Sequence, residues 1–150
     1  MLLAFSGSRS LTLDQTERLD KKLLKIPDSY GRLIWHVGDC SGVDRCVREA
    51  AASLAAGLVV HRAIGPQRWA LAKRSREMVD TVRGQAVALI AFPVRPCPVE
   101  LRPQSCDRWQ GAGTWGTVAY AVRRGVPVDV QPLEPMPLPD WLQVEQMTLW

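Results

Sequence analysis

Residues 86–92 read Ala-Val-Ala-Leu-Ile-Ala-Phe, a continuous apolar run that ends at Pro93. A run of strand length without a polar residue is typical of a strand covered on both faces, as at the centre of a parallel sheet. Parallel neighbours are joined through crossover connections that are usually helical, so the rest of the chain is expected to alternate strands with helices. Residues 86–92 therefore predict an α/β protein.

The segments on either side follow that alternation. Short apolar stretches predict four further strands, at 2–5, 33–37, 58–61 and 126–130. Apolar residues at helical spacing predict helices at 11–26, 43–56, 69–82 and 113–125. We expect Pro27 to stop the first helix and Gly57 to end the second. The fold class predicted is α/β, one domain with a mostly parallel sheet of about five strands flanked by helices.

Proline sets the domain boundaries. Because several prolines follow residue 92 and cannot take part in regular strand pairing, residues 94–110 are predicted to be a Pro-rich loop insertion. The domain is expected to span 1–131. A second Pro-rich stretch, 132–150, ends with apolar residues around Trp141 and Trp150, and is predicted to pack over the domain or over a second subunit.

Composition excludes several classes of protein. The chain has 150 residues, 47% apolar and 23% charged, which suits one globular domain and not a disordered chain. No stretch approaches the roughly 18 to 20 apolar residues of a membrane span, and the N-terminus lacks the basic leader of a signal peptide. A cytoplasmic protein without membrane contact is expected.

The charge is unevenly distributed between residue types. The net charge is +4, and 15 of the 19 basic residues are arginine. Arginine binds phosphate and carboxylate through two parallel hydrogen bonds, so this bias favours an anionic ligand. The composition of a GC-rich genome explains it equally well, and both interpretations stay open here.

The four cysteines, Cys40, Cys46, Cys97 and Cys106, are expected to be reduced in the cytoplasm. Their spacing fits no common zinc pattern, and no metal site is predicted. Cys97 and Cys106 are close enough in sequence to be a metal or redox pair, with two unpaired thiols as the alternative.

Glycine and small hydroxyl residues collect at the carboxyl ends of three predicted strands. The turns are Ser6-Gly7-Ser8-Arg9, then 38–44 (Gly-Asp-Cys-Ser-Gly-Val-Asp), then 111–117 (Gly-Ala-Gly-Thr-Trp-Gly-Thr). In an open α/β sheet, ligands bind beyond the carboxyl ends of the strands. Glycine allows backbone to approach an oxyanion, and a helix N-terminus favours negative charge. The turns therefore predict a phosphate site, with Arg9 as a source of positive charge.

Each turn alone has a simpler explanation, as a tight turn or a helix cap at Ser41 or Asp44. Gly111, Gly113 and Gly116 match the letters of the dinucleotide-binding fingerprint. They follow a Pro-rich loop and not a strand, and no acidic residue follows in a βαβ unit, so we reject that motif here.

Together these motifs resemble the SLOG superfamily. The resemblance rests on Gly7-Ser8-Arg9, the 38–44 turn, Arg74-Ser75-Arg76-Glu77-Met78-Val79-Asp80, Phe92-Pro93 and Gly113-Thr114-Trp115, and covers roughly residues 2–130. It is nearest to the YspA/YpsA-related branch; DprA (Smf) and the Lonely Guy phosphoribohydrolases belong to the same superfamily. The resemblance implies a Rossmann-like fold and a nucleotide-type ligand. The implied ligand-binding residues, with their neighbours in the turns, are Gly7, Ser8, Arg9, Gly38, Asp39, Ser41, Gly42, Asp44, Arg74, Gly113, Thr114, Trp115 and Thr117.

The chain departs from the Lonely Guy pattern at the catalytic position. There the glycine-threonine motif is followed by a glutamate, whereas Gly116-Thr117 is followed by Val118-Ala119-Tyr120. An acid/base for cleaving an N-glycosidic bond is therefore absent from its expected place, and Asp44, Glu77 and Asp80 are candidates to replace it.

The function predicted is the binding of a nucleotide or nucleotide-derived ligand, in a sensor or ligand-binding role. One alternative is a nucleoside-monophosphate phosphoribohydrolase or related N-glycosidase, with Asp44 or Glu77 as catalytic residue. A second is single-stranded nucleic-acid binding. No cofactor is expected apart from a bound nucleotide, and a homo-oligomer is expected by resemblance.

Aromatic and basic side chains add narrower expectations. Trp35 is expected in the core and Trp115 either in the core or stacked on a base. His36 and His61 are expected to be structural strand residues. The predicted helix at about 68–83 is basic, with Arg68, Lys73, Arg74 and Arg76. Because Arg74 and Arg76 project about 200° apart, at most two of these four side chains are expected to face one site. The family pattern favours Arg74.

Overall fold

The computed structural model describes residues 1–108 and 113–142. Five strands alternate with helices, as residues 86–92 and their neighbours predict. The strands are β1 (Leu2–Gly7), β2 (Ile34–Gly38), β3 (Gly57–His61), β4 (Ala86–Phe92) and β5 (Val128–Val130). The helices are α1 (Leu13–Leu24), α2 (Ile26–Tyr30), α3 (Val43–Ser53), α4 (Arg68–Val82) and α5 (Gly113–Arg123), with a 3₁₀ helix over Pro103–Arg108.

The five strands form one sheet in the order β3-β2-β1-β4-β5, and every pair is parallel. The chain builds outward from β1 to β3, then crosses back through α4 to β4 on the other side of β1. This is the strand order of a doubly wound, Rossmann-like sheet, whose ligand crevice opens where the winding reverses, here between β1 and β4. The predicted fold class is confirmed.

Helices cover both faces of the sheet, which is why the central strands have no polar face. On one face α1, α2 and α3 pack on alternate residues of β1, β2 and β4, with Trp35 buried against Phe5 at 4.8 Å between ring centroids. On the other face α4 and α5 pack on Ala4, Leu89 and Ala91. The prediction that Trp35 is a core residue is confirmed.

The region around Pro27 differs from the single helix expected at 11–26. Helix α1 begins with a reciprocal cap, in which Thr12 accepts from the Gln15 backbone and Gln15 accepts from the Thr12 backbone. It ends at Leu24. Pro27 then lies in the first turn of the short helix α2, where its missing N–H group has no partner to lose. Proline here separates two helices and also starts the second.

The end of α3 also differs from expectation. The residue with left-handed backbone is Ala55, with φ of 53°, and not Gly57, which already belongs to β3. The Ala56 N–H group donates to the Ala51 carbonyl at 2.9 Å and closes the turn. This bond pattern is that of a Schellman cap, which glycine favours at the position held by Ala55.

Residues 93–108 are less irregular than a plain loop. The 3₁₀ helix folds back on α5, and Leu101 and Cys106 are buried in the core of that face. Residues 109–112, which include the end of the predicted insertion with Trp109 and also Gly111, lie outside the described residues.

The tail packs on the domain as far as the structure describes it. Leu133 and Leu142 are buried, each in the core of a different face. The Trp141 indole N–H donates to the Leu101 carbonyl at 3.1 Å, and Arg18 pairs with Glu134 at 2.8 Å. Residues 143–150, with Trp150, lie outside the described part of the chain. Among the helices within 1–108 and 113–142, none has the length and apolar character to cross a membrane.

Candidate functional site

A cavity opens at the carboxyl end of the sheet, in the crevice that the strand order predicts. Its walls come from the end of β1, from Gly38 at the end of β2, from residues 68–78 of α4 and from the first turns of α5. Apolar side chains such as Leu71 and Met78 share the lining with four arginines, Arg9, Arg68, Arg74 and Arg76. A mixture of apolar wall and a few polar groups is typical of small-ligand sites.

The floor of the cavity is an ion-pair cluster around Arg74. One terminal nitrogen, Nη1, lies 3.1 Å from Asp39 Oδ1 and 3.3 Å from Asp44 Oδ2. The other, Nη2, contacts the Cys40 sulfur at 3.7 Å. Both Arg74 and Asp44 are buried. Because α4 and the turn after β2 are distant in sequence, this cluster exists only in the folded chain.

Gly38 makes room for the cluster. A Cβ atom at this position would lie 1.6 Å from Arg74 Nη1 and 2.5 Å from Asp44 Oδ2. Any side chain would therefore occupy the place of the guanidinium group. Gly38 was predicted to let backbone approach a phosphate; in the structure it lets the Arg74 guanidinium pack closely against the backbone.

The charges of the floor balance one another. Arg48 donates from Nη1 to the carbonyls of Gly38 and Cys40, at 2.9 and 3.0 Å, and its charge acts on Asp44 in the same direction as that of Arg74. Burial raises the pKa of the Asp44 carboxyl above its ordinary value, and the neighbouring charge of Arg74 opposes that rise. The floor is polar, but it carries no formal excess of positive charge.

One atom of the floor is left without a partner. Arg74 is 8% exposed, and its Nε–H group makes no hydrogen bond within the described residues. A buried donor without an acceptor costs about 1–3 kcal/mol. The Nε atom itself is enclosed by protein and has almost no accessible surface, although other atoms of Arg74 line the cavity.

Free positive charge lies at the rim. Arg9 and Arg68 are exposed and Arg76 is half-buried, and all three line the cavity. Within the part of the chain that the structure describes, none of the three forms an ion pair or a side-chain hydrogen bond. Arg9 also lines a second, more open depression next to the cavity, with Asp39, Ser41, Ala63, Gly65 and Pro66. The rim thus carries three uncompensated cations.

The two turns that follow β1 and β2 are locked together. The Val43 N–H donates to the Ser8 carbonyl at 2.9 Å, and the Ser41 hydroxyl donates to the Arg9 carbonyl at 2.8 Å. Gly42 has φ of 70°, and a Cβ there would lie 2.3 Å from the Ser8 carbonyl oxygen. These contacts hold the backbone of Arg9 at the rim.

Two other predicted residues have local roles in the same turns. The Ser8 hydroxyl donates to the Ser10 carbonyl at 2.8 Å. Gly7 lines the cavity, and a Cβ there would meet Val43 at 2.4 Å. The hydroxyl groups of both predicted serines, Ser8 and Ser41, thus donate their hydrogen bonds to backbone carbonyls.

Helix α5 contributes its first turns. A Cβ at Gly113 would have no neighbour within 4 Å among the described residues. Thr117 lines the cavity, and its hydroxyl donates to the Gly113 carbonyl at 2.8 Å. Trp115 points the other way: it is 3% exposed, donates its indole N–H to the Arg95 carbonyl at 2.8 Å and meets Trp141 edge-on. Of the two positions expected for Trp115, the structure shows the core.

Seven of the predicted ligand-binding residues line the cavity: Gly7, Arg9, Gly38, Asp44, Arg74, Gly113 and Thr117. Asp39 and Ser41 line the neighbouring depression, and Ser8, Gly42, Thr114 and Trp115 line neither. Glu77, the second catalytic candidate, is exposed, lies 3.8 Å from Lys73, and is not among the residues around the cavity.

The expectation for the basic helix is wrong. Arg68, Arg74 and Arg76 all line the cavity, because it extends along α4 from residue 68 to residue 78 and arginine side chains are long enough to reach it from different sides of the helix. The prediction considered only the direction in which each side chain leaves the helix and so excluded arginines whose length lets them reach the cavity. The charge pattern of α4 was the signal for Arg68 and Arg76, and Met78 lies in the 74–80 motif, whereas nothing in the sequence pointed to Leu71.

The cysteines stay unpaired. All four are free thiols; Cys40 and Cys106 line the cavity, whereas Cys97 does not. Burial raises the pKa of Cys97 to about 11 and also raises the pKa of Cys106. In the described ranges, no three His, Cys, Asp or Glu side chains come together as a set of metal ligands.

The two histidines pair with each other beside the cluster. His36 Nδ1 lies 2.9 Å from His61 Nε2, across the neighbouring strands β2 and β3. Burial lowers the pKa of both, so each is neutral at pH 7 and one ring donates to the other. This arrangement agrees with the structural role expected for them.

No protein-family model matches this chain, and no curated protein matches it. Among solved structures, the fold is similar to the X-ray structure of DNA processing protein A (DprA) from Streptococcus pneumoniae, with a TM-score of 0.62 and 15% sequence identity. The similarity covers 98% of this chain and 54% of that chain, so the chain spans about half the length of DprA. At this identity the likeness concerns the fold alone.

Proposed function

We propose that this protein binds a nucleotide or a nucleotide-derived ligand in the cavity at the carboxyl end of the sheet. The observation that carries the proposal is the convergence of four arginines on one cavity, three of them free of ion pairs in the described chain. Arginine is suited to phosphate oxygens, and a doubly wound sheet places ligands at this edge. The DprA-like fold is compatible with this role.

The apolar part of the lining distinguishes this site from one for a simple inorganic anion. Leu71, Ala72 and Met78 of α4 border the cavity together with the arginines. A ligand that fills it needs an apolar or aromatic portion as well as a negative charge, because apolar wall gains free energy only against an apolar partner. A nucleotide has both portions in one molecule.

Calorimetric titration tests this proposal. The panel is AMP, GMP, UMP, NAD, ADP-ribose and a thymidine oligonucleotide, tested on the wild type, on Arg9→Gln and on the control Arg32→Gln. Arg32 is exposed and precedes β2, at the opposite end of the sheet from the cavity. We expect at least one mononucleotide to bind, about tenfold more weakly to Arg9→Gln and unchanged to Arg32→Gln, since a hydrogen bond to a charged group contributes about 1.5–3 kcal/mol.

Two outcomes overturn the proposal. One is that no member of the panel binds. The other is that the oligonucleotide alone binds, with affinity falling steeply as salt rises, because that is the behaviour of a nucleic-acid site built on several phosphate contacts.

A second candidate function, cleavage of an N-glycosidic bond, is favoured by Asp44. This carboxyl lines the cavity, and its pKa is raised by burial, as suits a general acid. Incubating the protein with AMP and NAD and measuring free base by chromatography tests it. Release that disappears in Asp44→Asn supports this function, and no release at high protein concentration excludes it for these substrates.

A further inference from the structure

The second depression continues the cavity beyond its rim. Arg9, Cys40 and Leu71 line both concavities, so the two share one border. The other residues around the depression are Asp39, Ser41, Ala63, Gly65 and Pro66. A ligand that lies in the cavity and extends past Arg9 therefore enters the depression.

The two concavities differ in charge. Four arginines line the cavity, and three of them, Arg9, Arg68 and Arg76, form no ion pair within the described chain. The depression shares Arg9 with the cavity but has a carboxylate of its own, that of Asp39. Negative charge on a ligand is therefore stabilised on the cavity side, as far as Arg9, and opposed beside Asp39.

The Asp39 carboxylate is placed to accept hydrogen bonds from a ligand. Its side chain is 25% exposed. Within the described residues, Oδ1 accepts from Arg74 Nη1 at 3.1 Å and Oδ2 accepts from the Ala63 N–H group at 3.3 Å. An ionised carboxylate has about four acceptor positions, so these two bonds orient the group and leave about two positions for a ligand.

Ser41 gives the depression a second acceptor. Its hydroxyl proton is donated to the Arg9 carbonyl at 2.8 Å, so the exposed oxygen is left to accept. A ligand group that suits both residues donates hydrogen bonds and carries no positive charge, because Arg9 opposes a second cation beside it. Hydroxyl groups meet both conditions, and a sugar presents several of them within one small group.

We infer that the ligand is a nucleotide extended through its phosphates: the nucleoside lies in the cavity, a pyrophosphate lies against Arg9, and a sugar on the second phosphate donates hydroxyl hydrogen bonds to Asp39 and Ser41. A pyrophosphate suits this border better than a single phosphodiester, because it carries two negative charges towards cations that are otherwise unpaired in the described chain. This inference rests on the proposed function and adds a second subsite and a ligand class, nucleoside diphosphates that bear a sugar.

Calorimetry with matched ligands isolates the contribution of the sugar. The probes are AMP, ADP-glucose and the methyl ester of ADP on its second phosphate, with the corresponding guanine and uracil compounds. Each methyl ester has the diphosphate and the charge of its sugar nucleotide but lacks the sugar on the second phosphate. We expect at least one sugar nucleotide to bind about tenfold more tightly than its methyl ester, because hydrogen bonds to a carboxylate are charge-assisted.

The variant Asp39→Asn tests the acceptor. It removes the charge and also weakens the contact to Arg74, so the quantity to compare is the ratio of sugar-nucleotide affinity to methyl-ester affinity. A disturbance of the floor affects both ligands and cancels in this ratio. We expect the ratio to fall several-fold in Asp39→Asn and to stay unchanged in Asp28→Asn, because Asp28 is exposed on α2 and lines neither concavity.

Nuclear magnetic resonance of the wild type locates both parts of the ligand without a variant at the site. Met78 lines the cavity and not the depression, whereas Gly65 lines the depression and not the cavity. The chain has four methionines, so the Met78 methyl resonance is readily assigned in methionine-labelled protein, and the Gly65 N–H resonance is assigned by triple-resonance spectra. We expect the mononucleotide to move the Met78 resonance and leave that of Gly65 in place, and the sugar nucleotide to move both.

The outcomes separate the inference from the proposed function. If mononucleotides bind but every sugar nucleotide binds no more tightly than its methyl ester, the second subsite is wrong while nucleotide binding stands. If a sugar nucleotide binds more tightly but leaves the Gly65 resonance in place, or keeps its full advantage in Asp39→Asn, the sugar does not lie in the depression and the inference is equally wrong. If no probe binds, the proposed function fails and the inference fails with it.

Discussion

Replacing Gly38 by alanine introduces one methyl group at the most crowded point of the site. The new Cβ would lie 1.6 Å from Arg74 Nη1 and 2.5 Å from Asp44 Oδ2. Ordinary contact begins near 3.4 Å, so the guanidinium group has to retreat by about 2 Å. The end of an arginine side chain usually moves at little cost, but here it is buried and tied to two carboxylates.

The magnitude follows from what that movement breaks. The Nη1 contacts of 3.1 and 3.3 Å to Asp39 and Asp44 are near the limit of a hydrogen bond and do not survive a shift of that size. Removing one partner of a buried ion pair costs about 3–5 kcal/mol. Asp44 keeps the Cys40 N–H donor at 3.2 Å and has a raised pKa, which eases the loss. We expect Gly38→Ala to lower the free energy of unfolding by about 2–4 kcal/mol.

Urea denaturation followed by circular dichroism measures this effect, with Gly113→Ala as matched control. Gly113 also lines the cavity, but a Cβ there has no described residue within 4 Å, so this variant should unfold within about 0.5 kcal/mol of the wild type. If Gly38→Ala is as stable as Gly113→Ala, the guanidinium group is free to move and the ion-pair cluster is not a rigid floor.

Three further changes test other parts of the molecule. Burial lowers the pKa of His61 below 6.5, so the unfolded chain takes up the proton first and the protein loses stability as pH falls from 7 to 5. His61→Gln should reduce that loss by up to about 1.4 kcal/mol per pH unit, measured by urea titrations at several pH values. An unchanged dependence of the free energy of unfolding on pH would contradict this prediction. Trp115→Phe leaves the Arg95 carbonyl without its donor, which should cost about 1–3 kcal/mol and change nucleotide affinity less than twofold; a larger affinity loss would mean that Trp115 contacts the ligand. Ala55→Gly should stabilise the protein by about 0.5–1 kcal/mol in the same denaturation assay, since Ala55 holds φ of 53°; destabilisation would show that the cap is not strained.

Local pattern was sufficient for most of the elements. The apolar run 86–92 is β4, with the bounds predicted. A strand covered on both faces is apolar at every residue, so its limits can be recognised from consecutive residues. Helix α2 and the 3₁₀ helix over Pro103–Arg108 were missed, because both are short and lie beside prolines that pattern rules treat as breaks.

The candidate site was predicted in part. Glycine-rich turns and the motif around Arg74 are local features, and seven residues chosen from them line the cavity. The partnership of Arg74 with Asp39 and Asp44 joins positions 35 and 30 residues apart, and no spacing rule reports such a contact. The burial of Trp115 likewise depends on Trp141, 26 positions away, with ring centroids 6.4 Å apart.

The sequence by itself determined that this is an α/β protein with its polar turns at one edge of a parallel sheet, because strand burial and helix periodicity are properties of consecutive residues. Only the tertiary structure decided which of its 15 arginines face one cavity and how their charges are compensated. Charge compensation depends on distances between residues from different elements, and those distances exist only after the helices have packed on the sheet. That difference separates an arginine-rich chain from a cavity with a neutral floor and a cationic rim.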